Sequence, residues 1–269
     1  MSEDVSPAQE PPVAAESSHP VAPPKGMPSP GRWAVALLIG TLLAIVLLNV
    51  APQPFELSEE MAAVNVGSPT AKQIEAQQAG LLVLRKNATI GYALAGGALG
   101  LGALLVVSWR RPGRALLTVV GSVIGGSLLA IAAVWLAGFV FNQFEIDGMF
   151  AELGADDQSM VPELAVWVAL SVMMALPVGL ILLFGGEPLL SQRMMAVPLA
   201  GLVTGLLFPI AISLLLPKEN SAGFPPEGWT LTGIWLATLA LFLFLLTTMT
   251  GARQVKTEPV PAAETGGAA

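Results

Sequence analysis

The side chains able to do chemistry are few in this chain, and their spacing narrows what they could do. Cysteine is absent, and the single histidine, His19, sits in a proline-rich stretch. A Ser or Cys nucleophile needs an imidazole or comparable base beside it, and tetrahedral zinc takes imidazole or thiolate ligands. Ser–His and Cys–His hydrolysis, disulfide chemistry and Cys- or His-ligated metal are therefore not expected. His19 reads as a solvated side chain.

Carboxylates remain. Glu145, Asp147, Glu152, Asp156, Asp157 and Glu163 occupy one segment that contains no Lys or Arg. Paired carboxylates can serve as acid and base, and hard cations take carboxylate oxygens. The spacing of a calcium loop is missing around Asp156–Asp157, so a solvated acidic loop accounts for the cluster more simply. Neither a cofactor nor a metal site is expected. Asn87–Ala88–Thr89 matches a glycosylation acceptor, but it abuts an apolar run and is discounted. A net charge of −7 argues against nucleic acid, which is bound through clustered Lys and Arg.

The elements that must position these groups are apolar almost throughout. Of 269 residues, 54% are apolar and 12% charged, about half the charged share of a soluble domain. Six stretches hold no Asp, Glu, Lys, Arg or His: Trp33–Ala51, Ala88–Trp109, Ala115–Phe141, Leu164–Phe184, Met195–Leu216 and Trp229–Thr250. Each has the roughly 20 residues that cross a bilayer as a helix. A charge at the bilayer centre costs about 2.5–3.5 kcal/mol on insertion scales, which accounts for its absence. The alternation of a membrane β-barrel is missing. The expected fold is an all-α, six-span transmembrane bundle over residues 32–251, flanked by disordered tails at 1–31 and 252–269.

Lys and Arg set the orientation, because cytoplasmic loops collect them. Lys25, Arg32, Arg110, Arg111, Arg114, Arg193, Arg253 and Lys256 fall on one side, against Lys72, Arg85, Lys86 and Lys218 on the other. Both termini are thus expected in the cytoplasm, with Arg110, Arg111 and Arg114 as topology anchors. Arg85–Lys86, beside span two on the outer side, runs against the rule. Trp33, Trp109, Trp135, Trp167 and Trp229 fall near span ends, where an amphipathic ring favours the bilayer interface. Thr70 and Gln73 form a capping-box pattern that predicts a helix from about Ala71.

Glycine is the most informative pattern. Gly96 and Gly100 in span two, Gly121 and Gly125 in span three, and Gly201 and Gly205 in span five are small-xxx-small pairs. Such pairs let helix backbones approach closely. The short turn between spans two and three predicts an antiparallel hairpin whose glycine faces meet near mid-membrane. Self-association and pore lining are the competing readings. Pro177 and Pro209 interrupt spans four and five and are expected to kink them.

With no charged group in any span, a non-catalytic structural or accessory protein of a membrane complex is the leading expectation. A transporter or channel for a small neutral or apolar solute is the alternative, with Thr41, Asn49, Ser122, Ser127, Ser171, Thr204, Ser213 and Thr238 available to line a path. The expected partners are the lipid bilayer and either further copies of the chain or another membrane protein. High Ala and Gly content and short loops favour a bacterial inner membrane.

Overall fold

A long apolar segment buried away from water must satisfy its own backbone, and the α-helix does so within the segment. The computed structural model describes residues 30–62, 71–107, 112–141, 161–184, 193–215 and 228–255, and every regular element among them is helical. The helices are α1 (Pro30–Val50), α2 (Glu59–Ala62), α3 (Ala71–Leu101), α4 (Ala103–Val106), α5 (Pro112–Phe141), α6 (Val161–Phe184), α7 (Ala196–Leu215) and α8 (Trp229–Val255). Pro30 and Pro112 open their helices, where a missing N–H costs nothing.

Five of these helices are long and apolar enough to cross a membrane, and α7 is apolar over the shorter stretch Ala196–Ile212. Residues 1–29 and 256–269 of the expected tails, His19, Thr70, Arg110, Arg111 and the acidic residues from Glu145 to Asp157 lie outside the described residues. Residues 30–31 and 252–255, expected as tail, are instead helical in α1 and α8. Arg114 is described and exposed in the first turn of α5.

Each long helix packs against its chain neighbours, and α1 also packs against α8, so the six close into a ring. Within it α3 and α6 touch across the middle. Only 33% of the spanning residues of α1, α5 and α8 are buried, against 61% in α6 and 56% in α3, so the latter two form the centre. The outward faces of α1 and α5 carry Leu38, Leu42, Leu117, Ile124 and Leu128, all exposed.

Glycines set the closest approaches. A methyl placed on Gly96 would overlap the Gly126 carbonyl and sit 2.5 Å from Ala130 Cβ, while one on Gly100 would overlap the Ser122 carbonyl. The face of α5 that meets Gly96 and Gly100 is thus Ser122–Gly126, one residue on from the expected Gly121–Gly125. One residue turns a helix by about 100°, and Gly121 and Gly125 accordingly face Phe184 and Leu180 of α6. On α7, methyls on Gly201 and Gly205 would lie 2.5 Å from the Cα atoms of Val172 and Val168 on α6.

Two features depart from the linear reading. Span two is not one unbroken helix: the chain tightens at Gly102, whose N–H bonds to Leu99 O (3.2 Å) where the Ala36 carbonyl of α1 comes close. Trp33 and Trp167 lie at helix ends, but at 4% and 0% exposure their rings belong to the protein core. Pro177 and Pro209 sit inside α6 and α7 without ending them, and Pro177 packs near Gly126.

Candidate functional site

Polar side chains in hydrocarbon are costly unless paired, so the few present show where the bundle is tied or open. Trp33 Nε1 donates to Thr247 Oγ1 (2.9 Å), and Asn49 Nδ2 donates to Thr232 Oγ1 (2.8 Å). The first joins the start of α1 to the end of α8, and the second joins the end of α1 to the start of α8. The two helices are therefore antiparallel and pinned at both ends. Sixteen residues separate Trp33 from Asn49, about 24 Å of helix.

At the Asn49 end the bundle opens into a cavity of about 350 Å³, lined by residues of α1, α3, α8 and the segment following α1. Asn49, Gln53, Asn87, Tyr92, Trp229 and Thr232 supply its polar and aromatic atoms, and among the described residues no charged side chain lines it. Asn49 Nδ2 also donates to Ile45 O (2.8 Å), and Thr232 Oγ1 donates to Gly228 O (2.8 Å), so both side chains are held in place.

Asn87 closes one wall. Its Nδ2 donates to Phe55 O (2.8 Å) and its Oδ1 accepts from Phe55 N (3.0 Å), a two-point clamp on the segment after α1. Lys86 Nζ lies 5.7 Å from the centre of the Phe55 ring, within cation–π range. With its nitrogen so engaged, Asn87 is poorly placed as a glycan acceptor. Asn87→Ala should release this segment: limited proteolysis between residues 52 and 58 should speed up several-fold, while the unfolding free energy changes by no more than about 1 kcal/mol. An unchanged cleavage rate would show that the clamp does not hold it.

Arg85 and Lys86, which ran against the orientation rule, are both engaged. Arg85 Nη2 donates to Gly138 O (2.8 Å) in the last turn of α5, where the partial negative charge of a helix C-terminus favours a cation. At the opposite end Arg193 is half-buried, and desolvation lowers its pKa from the ordinary range.

Below the cavity, aromatic rings from four helices fill the centre. Trp167 of α6 lies 4.4 Å from Phe208 of α7 and 5.7 Å from Trp235 of α8, centre to centre, and Trp235 lies 6.1 Å from Tyr92 of α3. All four are at most 2% exposed. Trp235 Nε1 donates to Ser171 Oγ (2.9 Å). The Tyr92 hydroxyl, Trp167 Nε1 and Ser122 Oγ are buried with no hydrogen-bond partner among the described residues.

Of the polar residues considered as a path, Asn49 lines the cavity. Ser171 holds Trp235, Thr204 and Thr238 bond back to Ala200 and Ile234 on their own helices, and Ser127 lies against Gly97. Sequence reasoning missed the cavity and the aromatic floor, since both join residues from four parts of the chain. Among the described residues no cluster of three His, Cys, Asp or Glu could hold a metal. No family model, curated protein or solved structure matches this chain.

Proposed function

We propose that this is a non-catalytic, six-span membrane protein with both termini in the cytoplasm, serving as a structural or accessory component of a membrane complex. One observation carries the reading: the ring's centre is plugged by the buried Tyr92, Trp235, Trp167 and Phe208, and its polar side chains tie helices together. A solute path needs open polar positions along the axis. Here Asn49, Ser171, Thr232 and Thr247 are engaged in hydrogen bonds between helices.

The antiparallel α1–α8 pair supports an even number of crossings, and α7, at 20 residues, reaches about 30 Å. Arg32, Arg114 and Arg193 gather at the Trp33 end, which supports a cytoplasmic assignment for it. High Ala and Gly content and short connections favour a bacterial inner membrane.

The test is gentle extraction from the native membrane followed by native mass spectrometry, alongside flux measurements on the purified chain in liposomes. A hetero-complex of fixed stoichiometry and no flux are expected. Facilitated movement of an uncharged solute, at a rate altered by Pro177→Ala or Pro209→Ala, overturns the reading and favours the transporter. A fluorescent protein fused after Ala269 should be bright in the cytoplasm, and a dark one would reverse the orientation.

A further inference from the structure

The cavity at the Asn49 end has a size and lining that tying helices together does not explain. At about 350 Å³ it falls in the size range of small-molecule sites. Its polar lining consists of carboxamides and hydroxyls, from Asn49, Gln53, Asn87, Thr232 and Tyr92. With the Asn49 and Thr232 donors already engaged, Gln53 and the second Asn87 N–H can donate and the carboxamide oxygens can accept, which suits the hydroxyls of a sugar or polyol. A charged ligand would lose its hydration and meet no opposite charge among the described residues of the walls.

Two further features point to the same class. Trp229, 56% exposed at the rim, offers an indole face to the apolar side of a sugar ring. Tyr92 lines the cavity at 2% exposure, and its hydroxyl has no partner among the described residues. A buried hydroxyl left unmet is unfavourable; it is enclosed in this structure, and a ligand hydroxyl would meet it through a shift of the Tyr92 ring towards the cavity that the residue lines. Asn49, fixed by two hydrogen bonds, and Asn87, fixed by two more, leave little to reorganise on binding.

We propose that this cavity binds an uncharged, hydroxyl-rich group, a sugar ring either free or as the headgroup of a neutral glycolipid. The inference is independent of the accessory role, because a structural component can carry such a site and a transporter can lack it.

The chain has no cysteine, so Ala51→Cys on the cavity wall gives a single thiol whose labelling by a membrane-impermeant maleimide reports occupancy. Ala88→Cys, also on the wall, is the second reporter if the first fails to fold. The protein is held in phosphatidylcholine nanodiscs, free of sugar detergents. One arm adds methyl glucoside, and the other includes glucosyl diacylglycerol in the disc. Labelling should slow in the first arm if the source is soluble, and only in the second if it is a lipid.

Tyr92→Phe on the same background should weaken protection about fivefold, the size of one neutral hydrogen bond. Its thermal midpoint should hold or rise, since the variant deletes an unmet hydroxyl. Fast labelling in both arms overturns the proposal. So does protection that Tyr92→Phe leaves intact, or equal protection by phosphatidylglycerol, whose headgroup is anionic.

Discussion

Gly96→Leu should all but remove folded protein from the membrane. Its methyl would already overlap the Gly126 carbonyl and crowd Ala130, and these are main-chain and short side-chain atoms with no rotamer to escape into. The only relief is to pull α3 from α5, and with them the pairing at Gly100 and Ser122. Overpacking of a close-packed core costs about 1–3 kcal/mol and occasionally more, and a rigid backbone contact belongs at the upper end. Gly233→Ala is the matched control, because a methyl there meets nothing within 4 Å. A denaturation series in mixed micelles should show a collapsed midpoint for Gly96→Leu and an unchanged or slightly raised one for Gly233→Ala. Equal midpoints would mean that α3 and α5 do not touch through this face.

The second large effect is expected from Trp167→Ala. The ring is 0% exposed and is held between Phe208 and Trp235. Truncation of a buried Trp costs about 3–5 kcal/mol through lost contacts and the void left behind. In hydrocarbon the contact part dominates, since lipid tails are as apolar as the core. Trp167→Phe should cost far less, because it keeps a ring and deletes an Nε1 with no described partner. Thermal unfolding of the purified protein separates the two. A small loss for Trp167→Ala would show that the centre collapses around the gap and that the aromatic plug is not rigid.

Much of the architecture was legible because lipid imposes a one-dimensional code. Each of the six charge-free runs falls on helical segments, and five of the helices are long and apolar enough to cross a membrane. Gly201 and Gly205 also announce close packing by their spacing alone. Spacing does not say which neighbour is met. Gly121 and Gly125 look like partners of Gly96 and Gly100, but rotation about α5 is set by three helices at once, and α6 takes that face.

The tryptophans mislead for a related reason. Position along a span places Trp33 and Trp167 at its ends, whereas their direction depends on which side of the helix the ring occupies. Trp135 and Trp229, at 43% and 56% exposure, do lie outward. The cavity was beyond reach altogether, since Asn49, Asn87, Tyr92 and Thr232 are joined by no periodicity and meet only when α8 returns to α1.

That return has a consequence for how the protein is made. Trp33 and Thr247 are 214 positions apart, and Asn49 and Thr232 are 183 apart, so the first helix finds its partner only after every other helix has been synthesised. Until then the Trp33 N–H lacks the Thr247 oxygen, and Asn49 keeps only its bond to Ile45 O on its own helix. A chain cut short before α8 would lack both bonds, so side chains tie α1 at its two ends only once the last helix docks.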